Sequence, residues 1–184
     1  MKLEDYCAEV AGLVPVYTDT GDGCRIICCR ADGSVYSYCE SHSVESLKRR
    51  LARCYALHLG DQARLLQRAY HRSPPLPFYF PDGRIFVPFK LRLVKIPGDG
   101  SYGYLEIKLI KNLLPQGRGH CRITLLNGES LPVFSQISTA RLALYFGMEI
   151  QKANSKHRPD PDKEILHAFR VLRSYFVSGV IKDL

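Results

Sequence analysis

Ile85-Phe86-Val87-Pro88-Phe89-Lys90-Leu91-Arg92-Leu93 follows the turn Pro81-Asp82-Gly83 and opens the most strand-like part of the chain. Two similar segments come after it. Tyr102 to Ile110 follows Gly98-Asp99-Gly100, and Cys121 to Leu126 runs into Asn127-Gly128, a two-residue hairpin signal. Side chains alternate across a strand with period two. Val87, Phe89, Leu91 and Leu93 then share one face of the first segment, and Lys90 and Arg92 the other. Leu105, Ile107 and Leu109 oppose Glu106 and Lys108, and Cys121, Ile123 and Leu125 oppose Arg122 and Thr124. Paired in register, the three strands make a sheet with an oily side and a side lined by Lys90, Arg92, Lys108 and Arg122. Such a field attracts polyanions. The plain alternative is a half-solvated sheet whose polar face happens to carry Lys and Arg.

Upstream, Leu13-Val14-Pro15-Val16-Tyr17 reads as an edge strand, because Pro15 cannot donate to a ladder. Cys24 to Arg30 and Val35 to Cys39 read as a hairpin joined by Ala31-Asp32-Gly33-Ser34. Ser43 is the expected cap of a helix in which Val44, Leu47, Leu51, Cys54 and His58 recur at helical spacing. Its other faces carry Lys48, Arg49, Arg50 and Arg53, so it reads as a basic helix able to track phosphates, or as an ordinary solvated one. Gly60 is expected to end it, with Asp61 capping a shorter helix through Arg64 and Arg68. Pro74, Pro75, Pro77 and Pro81 mark an extended connector. Downstream, Ser138 is expected to cap a helix through Leu142, Tyr145, Phe146 and Glu149. Asn154 to Asp162 reads as a short linker, and a last helix carries an apolar stripe of Ile165, Phe169, Leu172, Phe176 and Val180. The expected fold is α+β: β-rich, mainly antiparallel, with a basic helix between strand groups and C-terminal helices. The expected domains are residues 1–153, the β-rich body, and residues 154–184, linker and docking or oligomerising helix.

The 184 residues carry a net charge of +8, unevenly spread. The first 23 carry one Lys and five acids; residues 24–74 carry nine bases and four acids, and residues 75–125 eight and three. An acidic start on a basic body points to a polyanion partner, nucleic acid before lipid head groups or acidic protein. Residues 1–10 mix charges without an apolar core, so no secretory leader is expected, and no run approaches the ~18 apolar residues that span a membrane. Seven cysteines, an odd number with Cys28 and Cys29 adjacent, read as reduced thiols in a cytoplasm.

Candidate chemistry is sparse. Cys24, Cys28, Cys29, Cys39 and His42 lie close in sequence but contain no Cys-x-x-Cys pair, so no metal is expected. His120 and Cys121 are adjacent on a strand and point opposite ways, which disfavours a thiol–imidazole pair. Gly98 to Gly103 precedes a strand rather than a helix and reads as a turn, not a phosphate loop. Asp82, Glu106 and Lys108 form the sharper alternative. Pro81-Asp82 followed by Glu106-Ile107-Lys108 resembles the Pro-Asp…Asp/Glu-x-Lys constellation of metal-dependent nucleases, in which two carboxylates hold Mg²⁺. An ordinary Asp-Gly turn explains Asp82 equally well. No catalytic residue and no cofactor is expected.

The order of motifs carries a resemblance. A helix with Cys54 is followed by Arg64, His71-Arg72-Ser73-Pro74-Pro75-Leu76, Gly83-Arg84-Ile85-Phe86-Val87-Pro88, Tyr102-Gly103-Tyr104-Leu105 and Ile123-Thr124-Leu125-Leu126-Asn127-Gly128-Glu129. Over roughly residues 35–150 this resembles the competence transcription factor (ComK) family of Gram-positive bacteria, with Tyr104-Leu105 standing where that family has Trp-Ile. His71-Arg72-Ser73 and Leu126 to Val133 are similar, more weakly, to LytTR-type DNA-binding domains. The first resemblance implies a transcriptional activator that engages A·T-rich boxes of double-stranded DNA through the minor groove as a homo-oligomer. It also implies an adaptor that delivers the protein to a protease. Arg64 is the basic position the resemblance matches best. The face argument adds Lys48, Arg49, Arg50, Arg53, Lys90, Arg92, Lys108 and Arg122 as DNA-binding residues. The remaining alternative is a protein-interaction module with an acidic partner.

Overall fold

The computed structural model describes residues 3–156, and the chain divides after Gln151 into two units, the first of which holds both sheets. Six antiparallel strands form the larger sheet: β1 Val10–Thr18, β2 Gly21–Cys29, β3 Val35–Glu40, β4 Phe78–Tyr79, β5 Ile85–Lys90 and β6 Tyr102–Glu106. Their order is β3-β2-β1-β6-β5-β4. The smaller sheet, in the order β7-β8-β9, comprises β7 Ile110–Pro115, β8 Cys121–Leu125 and β9 Ser130–Val133. Helices α1 Val44–Cys54 and α2 Leu59–Tyr70 lie between β3 and β4, and α3 Ile137–Lys156 follows β9. The fold is therefore α+β, β-rich and antiparallel, with a basic helix between two groups of strands. Among the described residues no helix is long and apolar enough to cross a membrane. The expected last helix lies outside the described residues. The expected linker begins inside α3, which continues to Lys156.

The larger sheet is covered on both faces, and this overturns the two-faced reading of β5. Ile85, Phe86, Val87, Pro88 and Phe89 are all buried. Phe86 joins Phe78, Phe80, Tyr104, Leu13 and Ile26 in a core closed by Leu47 and Leu51 of α1. Ile85, Val87, Phe89, Leu105 and Ile27 belong to a second core. They share it with Cys121, Ile123, Leu125, Leu131 and Val133 of the small sheet and with Ala140, Phe146 and Ile150 of α3. A strand buried on both sides reads as a continuous apolar run, not as an alternation.

Two further strand expectations change. β6 stops at Glu106, and Ile107–Leu109 form a single 3-10 turn that sends the chain into the other sheet. Cys121–Leu125 therefore pairs with β7 and β9, not with β6. The second change concerns β1, which is central rather than an edge. It pairs with β2 along its length but with β6 only at Gly12 and Leu13. Pro15 lies just past that short ladder, where its missing N–H costs nothing. Gly103 of β6 fits here because it lacks a side chain: a Cβ would sit 2.5 Å from the Leu13 carbonyl oxygen and 2.8 Å from Pro15 Cδ. Neither neighbour is the free end of a flexible chain. Gly103→Ala is expected to lower the unfolding free energy by about 2–3 kcal/mol in urea titration, the upper range for overpacking.

The helices show which local signals were sound. Ser43 caps α1, accepting the Ser46 N–H at 3.3 Å. α1 ends at Cys54 rather than at Gly60, which lies in the first turn of α2. His58, at helical spacing from Leu51 and Cys54, does not continue the apolar stripe of α1. Instead it caps α2, its Nδ1 accepting the Asp61 N–H at 3.2 Å. Gln62 is buried, donating to the Tyr79 carbonyl and accepting the Tyr79 N–H, each at 3.0 Å. Its amide completes the hydrogen bonding of the two-residue edge strand β4. On α3 the buried stripe is Ala140, Phe146 and Ile150, while Leu142 and Tyr145 are exposed. Gly147 lies within this stripe; a Cβ there would meet Val87 Cγ2 at 2.4 Å, so α3 lies close against β5.

Candidate nucleic-acid interface

The nine basic residues expected to meet a polyanion separate into groups. Arg92 turns inward and is 6% exposed. Its Nε and Nη2 donate to the Gly100 carbonyl and its Nη1 to the Val16 carbonyl at 2.9 Å. Nη1 also lies 2.7 Å from Asp22 Oδ1, and the guanidinium covers the Tyr17 ring at 4.4 Å. It is fully engaged within the fold and offers nothing to a phosphate. The register places Lys90 opposite Tyr102 at one end of the β5–β6 ladder and Phe86 opposite Glu106 at the other. Lys108 lies beyond Glu106 in the 3-10 turn, so the strand itself puts it on the order of 13 Å or more from Lys90. Arg122 projects from the outer face of the second sheet, between Leu114 and Pro132. Lys90, Arg92, Lys108 and Arg122 do not line one face. The reasons are the inward turn of Arg92, the break after Glu106 and the transfer of Cys121–Leu125 to another sheet.

The helix cations come together better. Lys48 is half-buried, its Nζ 3.2 Å from the Tyr104 hydroxyl, 4.6 Å from that ring's centre and 2.7 Å from Glu45. Arg50 faces Glu40 at 3.5 Å and is also half-buried. Arg49 and Arg53 stand four apart on the solvent side of α1, and Arg64 and Arg68 four apart on that of α2. Arg49 touches Glu45 at 3.3 Å and Arg64 touches Asp61 at 3.3 Å, both pairs well exposed and so weak. Among the described residues Arg53 and Arg68 have no acidic partner within ion-pair distance.

Between the two helices runs a groove of about 700 Å³, lined by Glu45, Lys48, Arg49 and Arg53 on one side and His58, Gly60 and Ala63 on the other. Only Tyr55, Ala56, Leu57 and His58 join the helices, with Ala56 in the left-handed region at φ 49°. Arg64 lies one helical step round from Ala63. Arg68 follows Arg64 at four-residue spacing and is an addition to the nine residues expected to meet a polyanion.

The nuclease-like residues lie near one another at the far end of the larger sheet, but they are differently occupied. Asp82 Oδ1 accepts the Arg84 N–H at 3.0 Å and Oδ2 the Arg84 Nε–H at 2.8 Å. Glu106 is buried, and desolvation pushes its carboxyl up; Arg84 and Lys108 oppose that rise and Asp82 adds to it. Glu106 and Lys108 do not share a strand face, because the ladder ends between them. Among the described residues no three His, Cys, Asp or Glu side chains gather so as to hold a metal ion. Burial pushes Cys24 up to about 12 and Cys28 up to about 11, so at neutral pH both are thiols. His120 is exposed and edge-on to Phe134, while Cys121 is buried.

Arg84 was not singled out by sequence. It donates to the carbonyls of Cys7 at 3.3 Å and Val10 at 2.7 Å, and to the Tyr55 hydroxyl. Its guanidinium lies against the rings of Tyr55, Phe80 and Phe86. It thereby ties the α1–α2 connection to the β4–β5 hairpin and to the start of β1. Comparison with family models, with curated proteins and with solved structures finds no match.

Proposed function

We propose that this chain is a non-enzymatic DNA-binding transcriptional regulator of the ComK kind, and that it grips double-stranded DNA through the α1–turn–α2 surface rather than through a pleated face. One observation carries the reading. Four exposed arginines stand on two consecutive helices, Arg49 and Arg53 lining the groove between them and Arg64 and Arg68 on the solvent side of α2, and among the described residues Arg53 and Arg68 have no acidic partner. Guanidinium groups suit phosphate oxygens, which they bind in bidentate fashion. The net charge of +8 and the motif order shared with the ComK family agree with it. That likeness makes A·T-rich boxes the target and oligomers the binding form.

The test is retardation of duplex DNA over a range of salt. Binding should weaken on a log–log plot by about 0.9 per phosphate neutralised. The Arg53→Gln/Arg68→Gln double variant should bind more weakly and show a slope shallower by about 2. An unchanged slope would remove these helices from the interface. Failure of the wild-type protein to retard any duplex at low salt would favour the reading as a module for an acidic protein. Cleavage of plasmid with Mg²⁺, lost in Glu106→Ala, would overturn the non-enzymatic reading.

A further inference from the structure

The loop between β5 and β6 exposes three aliphatic side chains within four residues: Leu93 at 55%, Val94 at 42% and Ile96 at 55%. A soluble surface rarely groups such residues without a use for them. The loop is also built to hold its shape. Arg92 joins its two ends through Gly100 and ties it to β1 through Val16, and the Leu91 and Arg92 N–H groups both reach the Ser101 carbonyl. Near the tip, the Lys95 N–H donates to the Tyr17 hydroxyl at 2.8 Å, and the Asp99 N–H closes a turn onto Ile96. The loop's one carboxylate, Asp99, turns Oδ2 inward, out of solvent. The tip therefore presents aliphatic groups next to the exposed Lys95, whose ammonium lies 5.4 Å from the centre of the Tyr17 ring. At its root stand Lys90, without an acidic partner among the described residues, and the part-exposed Tyr102.

We infer that this hairpin is a wedge for the DNA minor groove: Leu93 and Ile96 enter a base step while Lys95 and Lys90 face the flanking phosphates. The inference rests on the DNA-binding reading above and adds a second contact to it. Minor-groove proteins kink the duplex by inserting one or two apolar side chains beside cations. A loop that projects from the end of the larger sheet on a rigid root suits that task. Three aliphatic side chains are a small hold for a bilayer, which is gripped by a longer apolar face.

The test compares the full-length wild type with Leu93→Ser/Ile96→Ser on a short A·T-rich duplex carrying a fluorescent donor and acceptor at its ends. Both substituted positions are exposed, so thermal melting should be unchanged. Wild-type protein should bring the ends together. The double variant should bind about tenfold more weakly, with the same salt slope, because no phosphate contact is lost. It should leave the duplex straight. A variant that bends the duplex as well as wild type would overturn the wedge and leave the DNA-binding reading intact. If wild type does not bind the duplex at all, both readings fall. If wild type sediments with phosphatidylglycerol vesicles, and the double variant loses that binding but still bends DNA, the tip belongs to a membrane surface.

Discussion

An Arg92→Ala protein is expected to unfold with about 3–5 kcal/mol less free energy than wild type, measured by urea titration. The substitution takes away the group that answers three separate needs. The Gly100 and Val16 carbonyls lose their guanidinium donors, and Asp22 Oδ1 loses the guanidinium 2.7 Å away. Breaking one side of such a pair leaves the other charge in a place poor in water, and that uncompensated charge is the larger part of the cost. Arg92→Lys keeps the charge but not the planar fork that serves Gly100 twice, so it should recover only part of the loss. The same variant separates the structural role from a phosphate contact. If Arg92 met DNA, Arg92→Lys would weaken binding more than it weakened folding. The expected result is a lysine variant of reduced stability whose salt slope matches wild type.

Arg92 also shows why charge and alternation misled. In the sequence it stands two residues after Lys90 and looks identical in kind. Its partners come from β1, from the start of β2 and from the far end of its own loop, and no local pattern announces that they converge. The apolar part of β5 was legible as strand because Ile85 to Phe89 has the residues strands favour. That both of its faces are buried was not legible, since the side expected to meet solvent is covered by α1, far away in sequence, with Phe78 and Phe80. The break after Glu106 is hidden for a related reason. Leu105 to Leu109 alternates as well as a true strand does, and only the docking of Leu109 against the second sheet decides that it turns there.

What was legible was local chemistry. Ser43 caps α1 because a hydroxyl there meets an orphan N–H whatever the rest of the chain does. The Ala31–Ser34 turn holds because Gly33 takes a positive φ and Asp32 accepts the Ser34 N–H at 2.8 Å. Pro15 marks the other limit. The edge-strand rule correctly required a place without a ladder bond, but a central strand can supply one where its neighbour stops short. For the candidate site the division is the same. The arginines of α1 were visible by spacing, and so was Arg64-x-x-x-Arg68. The inward turn of Lys48 onto Tyr104, fifty-six positions away, was not.

Arg84→Ala is expected to cost about 3–5 kcal/mol as well, and its effect should depend on pH in a way that Arg92→Ala does not. Arg84 donates to Asp82, Val10, Cys7 and Tyr55, so its loss releases the α1–α2 connection together with the β4–β5 turn. Its positive charge also opposes the desolvation that holds the buried Glu106 carboxyl above its ordinary value near 4.5, and does so more strongly than Lys108. A carboxyl raised on folding binds more protons in the native state than in the unfolded one between the two pKa values. Its stability contribution is therefore lost as pH rises through that window. Without Arg84 the window extends upward, so the deficit of Arg84→Ala against wild type should be larger at pH 7 than at pH 5. Adding Glu106→Gln should abolish that difference while leaving the rest of the deficit in place. A deficit equal at both pH values would mean that Glu106 does not feel the guanidinium. Because Arg84 holds Tyr55 in the turn between the two arginine-bearing helices, the folded fraction of Arg84→Ala should also bind duplex DNA less tightly, with the salt slope of wild type. A change in that slope would instead mean that Arg84 itself reaches the phosphates.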